Sequence, residues 1–240
     1  MLVVVNNAKE KKHPFYDKVK CVIRIFKKKH EVIYLGEKIE KSSLILSNHV
    51  GMSAPLSWDL YPEFTFRFWG TYEMNGDLKT VYKYLSETYF HNKMHWPLFL
   101  SKLFCLIAAP VMKGFYKGLE VISTYTDLRL KQTVNTSLDI LNKGHNIIVF
   151  PEDSSSGYFD KLTKFYSGFL FLAKTCYKKE LDVPIFVSYY SKKQRKIVVD
   201  KPIKYSSLLE KYKDLSHDEI AFELLNRCNQ LGEDIASNKY

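Results

Sequence analysis

The sequence predicts a single α/β domain with a largely parallel mixed sheet flanked by helices, preceded by a basic amphipathic helix. Three observations predict it. Residues 44–46 and 146–150 are continuous apolar runs, the pattern of strands buried on both faces. Stretches of helical periodicity alternate with such runs along the chain, which favours parallel pairing. The 240 residues are 46% hydrophobic, enough for one sizeable core, and no repeat, low-complexity tract or linker divides them.

Residues 1–30 are crowded with base. Lys9, Lys11, Lys12, Lys18, Lys20, Arg24, Lys27, Lys28 and Lys29 face only Glu10 and Asp17. Phe15, Val19, Val22 and Phe26 recur at helical spacing, so this segment reads as a membrane-surface helix or as a helix packed on the domain. Residues 31–240 form the expected domain. Residues 31–36, 44–47 and 64–69 read as strands, the last by clean alternation. Residues 76–95 are polar and aromatic and read as helical. Residues 96–112 are the most apolar stretch. Pro97, Lys102 and Pro110 interrupt it, and a core or interfacial helix is expected rather than a spanning one.

Residues 118–123 read as a strand and 128–142 as a helix that Gly144 stops. Residues 166–177 read as a helix, 183–189 and 197–199 as strands. The final helix spans 216–236, with Ser216 and Glu219 in a capping-box pattern.

Net charge is +10, and aromatics make up 15% of the chain. A basic chain wants an anionic partner: nucleic acid, a membrane or a phosphorylated substrate. The base clusters beside an apolar stripe and no nucleic-acid motif appears, so membrane lipids are the expected partner and nucleic acid is not. Cys21, Cys105, Cys176 and Cys228 have no metal spacing and read as reduced thiols. No metal and no bound cofactor is expected. Residues 1–5 are too short an apolar run for a signal peptide. A peripheral protein on the cytoplasmic face of a membrane is expected.

Two buried strands end in polar turns, one at Asn48-His49 and one at Pro151-Glu152-Asp153. A strand end in an α/β sheet is where ligands bind. His49 there can take a proton from an incoming nucleophile, or simply satisfy a loop carbonyl. The blocks run in the order Asn48-His49, then Gly118 to Ile122, then Phe150-Pro151-Glu152-Asp153-Ser154-Ser155-Ser156, then Val183-Pro184-Ile185. That order resembles the glycerophospholipid acyltransferase family, which includes lysophosphatidic acid acyltransferases. Its blocks read N-H-x-x-x-x-D, G-x-I-x-x-x-R, F-P-E-G-T-R-S and V-P. The resemblance spans roughly residues 31–205 and includes Lys164 to Gly168 after the third block.

The resemblance implies an acyltransferase that uses an acyl-CoA or acyl carrier protein thioester as co-substrate, with His49 as general base. The departures are specific. The family aspartate falls on Ala54, and its arginines fall on Thr124 and Ser155, although Arg129 lies a little beyond. Losing an orienting carboxylate in a comparable triad costs about 10⁴ in rate. Asp153 gains a carboxylate where the first block loses one, so it either orients His49 or caps its own turn. Glu152, Ser154, Ser155, Ser156 and Lys164 are the candidate substrate-binding residues. Asp59 lies five residues beyond Ala54, about 140° further round a helix, and should point elsewhere. The alternative function is a catalytically impaired protein of this fold that binds lipid.

Overall fold

The computed structural model describes residues 13–240. Lys9, Lys11 and Lys12 lie outside them. The strands are β1 (Glu31–Tyr34), β2 (Leu44–Leu46), β3 (Phe66–Thr71), β4 (Ile122–Thr124), β5 (Asn146–Val149), β6 (Pro184–Ser191), β7 (Lys196–Val199) and β8 (Ile203–Lys204). They form one sheet in the order β1-β7-β6-β2-β5-β3-β4, with β8 beside β6. Strands β2, β3, β4 and β5 pair in parallel, as do β1 with β7 and β2 with β6. Antiparallel pairing occurs where β6 meets β7 and β8. This is the single, mostly parallel α/β sheet that the apolar runs predict.

The runs are continuous because the sheet is covered on both faces. Leu44, Leu46, Ile147 and Val149 pack on one side, Ile45 and Ile148 on the other. Ile147 and Ile148 are wholly buried, each worth about 1.5–3 kcal/mol of apolar burial. The first face carries α5 (Leu130–Asn142), α6 (Gly168–Lys178) and α8 (His217–Ala236), with α7 (Tyr205–Lys211) at its margin. Ser216 and Glu219 close the expected capping box of α8. The second face carries α1 (Pro14–Phe26), α2 (Ser53–Leu60), α3 (Leu78–Lys83) and α4 (Leu98–Leu119).

Two local readings are corrected. Residues 118–123 are not one strand: α4 runs on to Leu119, and Glu120, in the left-handed region at φ 51°, ends it before β4 begins. Gly118 serves that packing, since a Cβ there would sit 2.2 Å from the Tyr16 Cβ on α1. Strand β3 does not alternate: Phe66, Arg67 and Phe68, paired with β5, are all buried, and Trp69, Gly70 and Thr71, paired with β4, are all partly buried. Helix α1 keeps the expected apolar face largely outside: Val22 and Phe26 are exposed and the half-exposed Phe15 touches α4 over Gly114, while Tyr16 and Lys20, four residues apart, turn inward. Lys20 can be buried because its ammonium pairs with the Asp59 carboxylate at 3.2 Å and donates to the Asp59 carbonyl at 2.6 Å.

Candidate active site

Strands β2, β5, β3 and β4 are mutually parallel, so their carboxyl ends open on one edge. A cleft of about 600 Å³ lies there, lined among others by His49, Gly70, Thr124, Phe150, Ser154 and Gly168. Its position obeys the general rule for open α/β sheets. Residues 151–166 form a loop that doubles back on itself. The Asp153 N–H donates to the Lys164 carbonyl at 3.0 Å and the Tyr166 N–H to the Pro151 carbonyl at 2.8 Å. That return delivers Ser167 and Gly168, the start of α6, to the cleft wall. The first-turn N–H groups of a helix lack helical partners and carry its positive dipole end.

His49 leaves β2 through an unusual turn. Val50 (φ 43°) and Gly51 (φ 59°) both take left-handed backbone. For the β-branched Val50 this costs on the order of 1–3 kcal/mol, and such strain gathers at functional sites. The turn is held by its neighbours. Asn48 pins it to β6, donating to the Tyr190 carbonyl and accepting from the Tyr190 N–H. The His49 N–H donates to Glu152 Oε2 at 3.0 Å. The imidazole lies against Tyr158, stacked at 5.2 Å, and against Phe150 at 4.7 Å. Burial and the nearby Lys93 ammonium push its pKa down to about 4, so it is neutral at pH 7. Its Nδ1 is buried and has no hydrogen-bond partner among the described residues.

Glu152 therefore holds the His49 backbone, while the imidazole's own polar contact is with the Gly51 backbone. Burial raises the Glu152 carboxyl to about 7, against the His49 N–H and the Lys93 ammonium, which both lower it. Lys93 donates to Ser154 Oγ at 2.7 Å and lies 5.8 Å from the Tyr158 ring. Burial lowers its pKa, with Glu152 and Asp153 opposing.

The structure does not bring Asp153 to His49. Its carboxylate accepts from the Ser155 N–H at 3.0 Å, which caps its own turn and lowers its pKa. Of the remaining sequence candidates, Glu152 holds the His49 N–H and Ser154 lines the same cleft as His49. Ser155 and Ser156 are exposed at the loop tip. Lys164 is exposed over the Tyr166 ring at 5.0 Å and lines a different hollow, so it does not face His49. Thr124 lines the cleft, its hydroxyl tied to the Gly70 carbonyl at 3.0 Å. Arg129 forks onto Asp127 and stacks at 4.4 Å on Tyr125, which lines the cleft. Asp59 turns its carboxylate to Tyr16 and Lys20, yet lines a small cavity of about 90 Å³ that His49 also lines.

Lys93, Tyr84, Tyr89 and Tyr158 escape the sequence reading. The first three sit in a π-helix, Tyr84–Lys93. Its i→i+5 bonding brings Tyr84, Tyr89 and Lys93 toward one side, a spacing that an α-helical period does not bring out.

No protein-family model and no curated protein sequence matches the chain. A crystal structure that superposes on it is that of the 1-acyl-sn-glycerophosphate (LPA) acyltransferase, PlsC, from Thermotoga maritima. The two are 12% identical, with a TM-score of 0.48, over 93% of this chain and 78% of that one.

Proposed function

We propose that the cleft moves a fatty acyl group from an acyl thioester of coenzyme A or acyl carrier protein to a hydroxyl of a lipid or polyol acceptor. The observation that carries the reading is the position of His49. A neutral imidazole stands at the β2 end, inside a mainly apolar cleft whose wall includes the start of α6. Of the ordered blocks that resemble the glycerophospholipid acyltransferases, the first and third contribute His49, Phe150, Pro151 and Ser154 to that edge and the second contributes Leu119 and Val121, while Val183-Pro184-Ile185 begins β6 at the other end of the sheet.

In this reading His49 takes the acceptor hydroxyl proton, and the oxygen attacks the thioester carbonyl carbon. The developing oxyanion is stabilised by free N–H groups at the α6 start. The C–S bond then breaks, and the thiolate recovers the proton from His49, giving ester and free thiol. Glu152 fixes the His49 backbone, and the Lys93 ammonium suits an anionic group on either substrate. Removing a general base of this kind costs typically 10²–10⁴ in rate. Thiol release from acyl-CoA and acyl carrier protein, measured over a panel of phospholipid, polyol and thiol acceptors, tests it. His49→Ala should lose that activity by the same factor while still folding.

One observation favours a second reading, lipid binding without turnover. The His49 Nδ1 has no acid partner among the described residues and Ala54 supplies none. Wild type inactive on every acceptor, with fatty acyl ligands still bound, would select it.

A further inference from the structure

Helix α4 is built inside out. Its buried positions in the first three turns are small: Ser101, Cys105 and Ala109, spaced four apart. Its large side chains point outward, with Phe99 69%, Leu103 62%, Leu106 62% and Ile107 78% exposed. A helix on a water-soluble surface buries its large apolar residues and exposes polar ones. Here the close-packing small residues face the protein. The apolar surface continues onto α1, which packs against α4 with Phe15 over Gly114 and Tyr16 over Gly118. Ile25 and Phe26 at the end of α1 are 75% and 83% exposed. Contiguous apolar surface of this extent marks an interaction site.

Charge identifies the occupant. Helix α4 has no Asp or Glu, and its charged residues are Lys102, Lys113 and Lys117. Helix α1 ends in Lys27, Lys28 and Lys29, of which the last two are exposed. Exposed Trp96 stands just before α4. Large apolar side chains, a rim of lysines in which, among the described residues, Lys29 alone has a carboxylate partner, Glu63 at 3.5 Å, and an aromatic at the margin fit an anionic bilayer surface. By length and composition α4 could cross a membrane. Its small-residue stripe and its last turns instead pack along the domain, which holds it in the membrane plane.

We propose that the outer faces of α4 and the end of α1 insert together into the headgroup–acyl boundary of an anionic membrane, with α4 as the principal surface. The proposal stands on the surface alone and does not require acyl transfer. Exposed Cys21 is first replaced by Ser, since Cys105, Cys176 and Cys228 are buried. Ile107→Cys and, on the opposite side of the sheet, Phe222→Cys are then each labelled with an environment-sensitive fluorophore. Vesicles of phosphatidylcholine mixed with phosphatidylglycerol should blue-shift the label at position 107 and leave that at 222 unchanged. Quenching by brominated acyl chains should follow the same split. Phe99→Asp with Ile107→Asp should weaken vesicle partitioning at least about tenfold with the circular dichroism spectrum preserved. An equal response at both positions, or none at 107, overturns the proposal. So does equal binding to pure phosphatidylcholine, or a concentration-dependent dimer that hides position 107 in the presence of vesicles.

Discussion

Asn48 completes a strand that β2 does not. The main chain of β2 pairs with β6 only as far as Leu46 opposite Val187. Beyond that, the Asn48 amide donates to the Tyr190 carbonyl at 3.0 Å and its oxygen accepts from the Tyr190 N–H at 2.7 Å. One side chain thus imitates a peptide group and satisfies two buried backbone atoms, one residue before His49. Asn48→Ala should leave both unsatisfied and cost about 2–4 kcal/mol in urea unfolding. Asn48→Asp keeps the acceptor, loses the donor and should fall at least as far. A loss below about 1 kcal/mol for the alanine variant would remove this role.

Two histidines should make the fold acid-sensitive. His30 is buried against the Tyr190 ring, and burial with the Lys27 charge pushes its pKa down to about 4, as burial and Lys93 do for His49. Between their ordinary value near 6.5 and about 4, the unfolded chain takes up protons that the folded chain refuses. The stability the two histidines contribute is therefore complete above pH 6.5 and declines as the pH falls through that window. Glu152 opposes them. Its folded pKa of about 7 lies above its unfolded value, so its contribution is lost as the pH rises from about 4.5 to 7. Two groups outweigh one. His30→Phe keeps the tilted ring contact with Tyr190 and should flatten the decline between about pH 6.5 and pH 4.5. Urea midpoints at several pH values read this directly, and an unchanged slope would show that His30 titrates normally in the folded protein.

The sheet was legible because burial on two faces writes itself as unbroken apolar runs at Leu44 to Leu46 and Ile147 to Phe150. Position along the chain also gave the meeting of His49 with Glu152, since two parallel neighbours must end together. What the sequence left open was direction. Asp153 and Glu152 are adjacent, but successive residues in extended chain point to opposite sides, so one reaches His49 and the other its own turn. Lys164 looked like part of the site because its neighbours are, yet its backbone is what the loop uses. Helix α4 was ambiguous for a different reason. Its composition suits a core, an interface or a membrane equally, and only the placement of Ser101, Cys105 and Ala109 against the domain separates them. The short β8 and α7 carry too few residues for a periodic signal.

Lys93 and His49 are coupled through space, and the coupling has a measurable sign. The Lys93 ammonium disfavours a second positive charge on His49 and favours a negative one on Glu152. Lys93→Met keeps the length and apolar stem of the side chain and removes the charge. The His49 pKa should then rise from about 4 but stay below its ordinary value, because burial is the larger cause and remains. The Glu152 pKa should rise above about 7. Titration of the His49 ring Cε1–H by NMR reports the first, and infrared absorption of the carboxyl reports the second. If His49 is the base in acyl transfer, the acid limb of the rate profile should move to higher pH with it. The neutral variant should also bind an anionic acceptor less tightly than wild type while a neutral polyol is unaffected. A His49 pKa that does not move in Lys93→Met would place the ammonium outside the reach of the ring and leave Lys93 only its bond to Ser154.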